Sequence, residues 1–152
     1  MKKPDTRSRA ATTATPAPSP EQLVYALLEA ASALRSRLEE ALQGVGLSIA
    51  KFELLHHLAG SEDSLPLCHL ASGRKCAPSN ITQLVDRLEA DGLVRRVEDP
   101  ADRRSRRAEL TAVGKERHAA GAKQLKRVQA EFAFSLSEDE RQALAQGLAA
   151  AK

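Results

Sequence analysis

The sequence predicts a mainly α chain in which a helix-turn-helix and a charged β-hairpin are flanked by longer helices at both ends. Three observations carry this reading. After Pro78, the residues Ile81, Leu84, Val85 and Leu88 recur at helical steps, and Gly92 closes the run. A shorter helical pattern, from Pro66 to Ser72, precedes it across Gly73-Arg74-Lys75. Two strand-like runs follow, Leu93 to Val97 and Ala108 to Leu110, on either side of an arginine-rich turn at Asp99-Pro100-Ala101-Asp102. A helix-turn-helix followed by such a hairpin is a winged helix.

The second helix of this unit is the one suited to reading DNA. Pro78 fits a first helical position, where its missing N–H is no loss. Opposite the apolar stripe lie Ser79, Asn80, Gln83, Asp86 and Arg87, with Thr82 at the edge. Most are neutral hydrogen-bonding groups of the kind that address phosphates or base edges in a major groove. The competing reading is an ordinary solvated helix face. The hairpin argues against it. From Leu93 to Arg107 there are six arginines, Arg95, Arg96, Arg103, Arg104, Arg106 and Arg107, against Glu98, Asp99 and Asp102. A guanidinium on a hairpin tip can enter a narrow minor groove or bind phosphate.

Taken in order, residues 1–19 form a basic tail rich in Ala, Thr and Pro, with nothing to build a core, and read as disordered. The tail holds Lys2, Lys3, Arg7 and Arg9 against Asp5, so it accounts for the whole formal charge of +3 and leaves the rest neutral. The local wing cluster is therefore a better sign of nucleic-acid binding than the overall basicity. Residues 20–150 read as a single unit. Ser19-Pro20-Glu21-Gln22 is a capping box. It opens a helix to about Gln43, with Leu23, Leu27, Ala30, Leu34, Leu38 and Ala41 along one side and a length of about 37 Å. A winged helix alone is too small to cover that stripe. Gly44 and Gly46 end the helix, and Ser48 caps the next, with Ile49, Phe52, Leu55, Leu58 and Ala59 inward. Gly60 to Ser64 is a loop, and Leu67, Leu70 and Ala71 turn inward on the short helix after it.

Beyond the hairpin, Thr111 caps a long helix to about Ser135, its apolar side marked by Val113, Leu125, Val128 and Phe132. Gly114 and Gly121 are expected to weaken it locally. Ser137-Glu138-Asp139-Glu140 is a second capping box, opening a last helix with Leu144 and Leu148. Residues 20–46 and 112–150 thus flank a DNA-reading part at 47–111. Terminal helices with more apolar surface than one chain can bury point to a homodimer.

Other function classes find little support. Aromatic residues make up 3% of the chain, too few for the stacking platforms of a single-strand binder. There is no Gly-rich phosphate loop, G-x-S-x-G or H-E-x-x-H, so no enzyme and no cofactor is expected. No apolar run approaches membrane-spanning length and the tail lacks a secretory h-region, which places the expected protein in the cytoplasm, away from membranes. The histidines His56, His57, His69 and His118 show no zinc-type spacing, and no metal site is expected. A site combining Cys68, His69 and a distant histidine is the alternative left open there. Cys68 reads as a small buried hydrophobe. Cys76 follows Arg74 and Lys75 at a helix start, where cations and the helix N-terminus favour thiolate, and is the candidate redox residue.

These residues also carry a family resemblance. Ala77 to Gly92 (APSNITQLVDRLEADG), then LVRR, DPADRR, and LTAVG from Leu110 to Gly114, resemble the MarR family of bacterial transcription regulators. The resemblance covers about Pro20 to Ala150, and the wing signature is its most specific part. It implies a winged-helix homodimer on near-palindromic double-stranded operator DNA, acting as a repressor released by a small-molecule effector or an oxidant. Arg104 resembles the family's minor-groove arginine, and Asp102 the carboxylate that orients it. The DNA-binding set is therefore Ser79, Asn80, Thr82, Gln83, Arg87, Arg103, Arg104 and Arg106. One departure is Cys76-Ala77-Pro78, where relatives begin the recognition helix with a polar cap. The alternative function is a winged helix that binds protein and has lost DNA.

Overall fold

The computed structural model describes residues 18–61, 64–72, 78–99 and 105–151, with side chains for all of these but 68, 71, 72, 78 and 79. Its elements run α1 (Pro20–Gln43), α2 (Ile49–Ala59), β1 (Leu65–Pro66), α3 (Leu67–Ser72), α4 (Pro78–Ala90), β2 (Val94–Glu98), β3 (Arg106–Leu110), α5 (Ala112–Phe134) and α6 (Glu138–Ala150). The fold is mainly helical with one small antiparallel sheet, the winged-helix arrangement expected. The chain divides into two compact units, one ending at Ala33 and one starting at Leu34.

The first unit is the opening of α1. Ser19 accepts from the Gln22 backbone N–H at 3.2 Å, and the Gln22 side chain accepts from the Ser19 backbone at 2.9 Å, so the capping box is closed in both directions. Leu23, Val24, Tyr25, Leu27 and Leu28 all stand exposed.

The second unit holds the core. Leu42, Leu47, Leu54, Leu55, Leu70, Ile81, Val85, Leu88, Val94 and Ala108 are at most 2% exposed and pack as one cluster. The stripe read on α4 is what α4 buries, with Leu84 at its half-buried margin. On α2, Leu54 is fully buried and Ala59 exposed, against the single inward face expected. The reason is that α2 packs against α5, β3 and α4 together, so more than one of its faces is covered. On α5, Val113 lies exposed rather than inward, while Val128 is buried as expected.

Two glycines set the chain's direction changes. Gly46 and Gly92 have φ of +72° and +71°, the left-handed conformation that favours glycine. Leu47 N–H bonds Leu42 O and Leu93 N–H bonds Leu88 O, while each glycine N–H bonds the carbonyl three residues back. These are Schellman closures, and each delivers a leucine directly into the core. Gly114 and Gly121, expected as weak points of α5, are instead sites of close approach. A Cβ at Gly114 would lie 1.9 Å from the Leu93 carbonyl oxygen, and one at Gly121 2.8 Å from the Phe52 ring.

The sheet runs β1-β3-β2, with Arg96 opposite Ala108 and Val97 opposite Arg107. β3 begins two residues earlier than read, at Arg106, because charged side chains hide a strand whose backbone pairs regularly with Val97 and Glu98. β1 goes beyond the sequence pattern, which places Pro66 in the short helix. Two residues carry no period, and only the pairing of Leu65 with Ala108 and Pro66 with Arg107 makes them a strand.

Candidate nucleic-acid interface

The motif LTAVG explains how the wing is set on the helices. Thr111 Oγ1 donates to Gly92 O at 2.7 Å and accepts from Gly114 N–H at 2.9 Å, and Thr111 N–H bonds Leu93 O at 3.1 Å. One threonine thus caps α5 and grips the turn that closes α4. Only glycine at position 114 leaves room for the Leu93 carbonyl.

On α4, Asn80, Thr82, Gln83, Asp86 and Arg87 face outward and exposed, as the periodicity requires once Ile81, Val85 and Leu88 are in the core. The side chain of Ser79 lies outside the described residues, as do Cys76, Asp102, Arg103 and Arg104 entirely. The structure therefore brings five of the polar positions onto the exposed side of α4, the helix that packs beside β2, and leaves the wing-tip expectations where the sequence put them.

The arginines that are described do not form a uniform positive face. Arg106, placed in the DNA-binding set, is exposed with Nη1 3.2 Å from Glu98 across the hairpin. Arg95 pairs with Glu109, also across the hairpin. Arg107 turns inward: its Nε donates to Ser64 Oγ at 2.8 Å, its Nη1 lies 3.2 Å from Asp99, and it also bonds the Ser64 carbonyl. It fastens β3 to the chain entering β1. Arg96 reaches back to α4, donating Nη2 to Asp86 at 2.5 Å and Nη1 to Glu89, while its backbone N–H bonds Glu89 Oε1 at 3.1 Å. Partial burial works against this guanidinium's charge. The hydrogen bonds and charges of Asp86 and Glu89 outweigh that and hold its pKa above the ordinary value. The sequence reading counted all six arginines as local charge and so missed the Arg96 clasp. Its signal was present as two carboxylates, Asp86 and Glu89, three residues apart on one helix flank.

A second feature escaped the sequence reading because its partners are 62 residues apart. His56 Nδ1 lies 3.0 Å from His118 Nε2, and both rings stack on Phe52, at centroid distances of 5.7 and 5.3 Å. Burial first, and His56 second, lower the pKa of His118, which favours its neutral form between α2 and α5. Among the described residues no group of three or more His, Cys, Asp or Glu side chains is arranged to hold a metal. Nor is any described helix long and apolar enough to cross a membrane.

Comparison with known proteins agrees with this geometry. A model of the MarR family matches residues 45–105. The transcriptional repressor CouR, solved bound to a 23-mer DNA duplex, is 29% identical with a TM-score of 0.74, over 86% of this chain and 92% of that one. AbsC, a MarR family transcriptional regulator from Streptomyces coelicolor, is 28% identical with a TM-score of 0.73, over 88% and 93%. A mutant MarR from E. coli, complexed with operator DNA, shares the fold at a TM-score of 0.72 and 21% identity, over 85% and 92%. No curated protein matches. With the family model on the helix-turn-helix and wing, and family structures superposing along most of its length, the chain is similar to the MarR family of transcription regulators, which are not enzymes.

Proposed function

We propose that this chain is a homodimeric, cytoplasmic, sequence-specific binder of double-stranded operator DNA that acts as a repressor and is released by a small molecule or an oxidant. The observation that carries it is the exposed, largely neutral hydrogen-bonding face of α4, set beside a wing whose strands are pinned by side-chain bonds. Ser79, Asn80, Thr82, Gln83 and Arg87 would meet base edges and phosphates in the major groove. Arg103, Arg104 and Arg106 would flank them on phosphate or in the minor groove, with Asp102 orienting Arg104. The similarity to CouR, solved on duplex DNA, supports the same mode. The exposed apolar side chains of α1 and of α6, Leu144 and Leu148 among them, supply the surface for a second copy. Dimerisation would place two recognition helices about one helical turn of DNA apart.

Release is read from two features. A groove of about 390 Å³ lined by Arg35, Ser36, Glu39, Ser48, Ile49 and Ala50 lies where α1 meets α2, and its size suits a small organic effector. Cys76, beside Arg74 and Lys75, is the candidate for an oxidant. The protein-binding alternative gains something from the internal pairing of Arg95, Arg96, Arg106 and Arg107. It gives no reason for the polar face of α4. A gel shift with DNA from upstream of the chain's own gene tests the proposal. A retarded band that survives excess unrelated duplex and footprints as two half-sites is expected. No retardation at low salt overturns it.

A further inference from the structure

We infer that Arg96 is a positioning residue for DNA reading: it locks the wing to the recognition helix instead of meeting DNA itself. The inference rests on the proposed DNA-binding function. Arg96 sits in the middle of β2, opposite Ala108, a fully buried residue of β3. Its guanidinium spans to two carboxylates on α4, Asp86 and Glu89, and its backbone N–H bonds Glu89 as well. Three hydrogen bonds therefore join one residue of the wing to one flank of the helix. A planar fork with two separately engaged nitrogens fixes direction as well as distance.

The exposures agree with this role. The Arg96 side chain is 23% exposed, against 68% for Arg95 and 51% for Arg106 on the same hairpin. A phosphate contact needs the guanidinium at the surface. Arg96 has instead given its donors to the protein. The clasp also answers a problem on the reading face. Asp86 lies among Asn80, Gln83 and Arg87, where a bare carboxylate would repel phosphate. Arg96 neutralises it and at the same time sets the angle between helix and hairpin. Major-groove and flanking contacts must be made together, so that angle decides whether both can form.

The test uses the full-length protein and a fluorescein-labelled duplex from upstream of its own gene. Arg96→Met keeps the aliphatic stem and removes the fork. It is expected to weaken binding roughly tenfold or more, since charge-assisted bonds are lost. The slope of log affinity against log salt should stay as in wild type, because no phosphate contact is removed. Arg96→Lys can reach only one carboxylate and should fall between the two. The triple variant Arg96→Met, Asp86→Asn, Glu89→Gln separates geometry from charge, and it should remain weak although no bare carboxylate is left. Amide exchange without DNA gives an independent readout: the Arg96 N–H and its β2 neighbours should exchange faster in Arg96→Met while the thermal midpoint of the core changes little. A salt slope shallower by about one in Arg96→Met would make Arg96 a phosphate contact and overturn the inference. So would wild-type affinity in that variant, or full recovery in the triple variant. If wild type itself binds no duplex, the DNA reading falls. Amide exchange still decides whether Arg96 holds the wing.

Discussion

Helices α1 and α4 carry apolar stripes of the same regularity and meet opposite fates. On α4, Ile81, Val85 and Leu88 are at most 2% exposed. On α1, Leu23 is 59% and Leu27 45% exposed. Periodicity tells which side of a helix seeks an apolar partner; it does not tell whether that partner is in the same chain. The winged-helix core has a fixed capacity, and α2, α3, α4, the sheet, Leu42 at the end of α1 and part of α5 fill it. The stripe at the start of α1 is left as surface, an arrangement that a second copy resolves.

Breaking the buried stripe should have the largest effect. Leu88→Ala removes a fully buried side chain and should cost about 2–5 kcal/mol of unfolding free energy, read by denaturant titration. The matching change on the exposed stripe, Leu27→Glu, should leave helix content nearly intact and shift sedimentation from dimer to monomer, because it places charge in the proposed seam. If Leu27→Glu remains a dimer, the two stripes differ for some reason other than a second copy. Equal unfolding losses in the two variants would equally undo the comparison.

At the wing, Arg104→Ala sharpens the contrast between the pinned arginines and one proposed to meet DNA. It is expected to weaken operator binding about tenfold, a loss of roughly 1.4 kcal/mol, and to make the salt slope shallower. The corresponding change at Arg96 should leave the slope as it is. Fluorescence anisotropy across a salt series compares the two directly.

The smallest effect concerns pH. His118 has a folded pKa below its ordinary value, so the unfolded chain binds the extra proton first as pH falls. The contribution of the His56–His118–Phe52 stack is therefore full above the unfolded value of about 6.5 and is lost as pH drops toward the folded pKa. Thermal midpoints measured from pH 7.5 to 5 should decline, and His118→Gln should flatten that part of the profile. An identical decline in the variant would assign it to other groups.

Local rules explain which parts of this architecture were legible. Both capping boxes, the caps at Ser48 and Thr111, the stripe of α4 and the left-handed closure at Gly92 all depend on neighbours within a few residues, and each appears as read. The outward face of α4 follows from its inward one, so Asn80, Gln83 and Arg87 were legible as surface too. The family signature at the wing was legible in the same sense, since it is a run of adjacent residues.

What only the tertiary structure decided depends on partners distant in sequence. β1 is a strand because β3 lies beside it, and Leu54 is buried because α2 is covered on several sides. Gly114 and Gly121 look like weak points of a helix until Leu93 and Phe52 arrive against them. Arg95, Arg96, Arg106 and Arg107 add up as local charge in one dimension. In three dimensions, hairpin pairing sets Arg95 and Arg106 against carboxylates, Arg107 joins β3 to Ser64, and Arg96 turns to α4. The sequence by itself determined the helices, the paired strands of the hairpin, the caps and the side that α4 turns inward, because those are set by backbone sterics and short-range periodicity. Which carboxylate each of these arginines meets was decided only by packing, because a guanidinium several bonds long takes the nearest carboxylate in space, whatever its place along the chain.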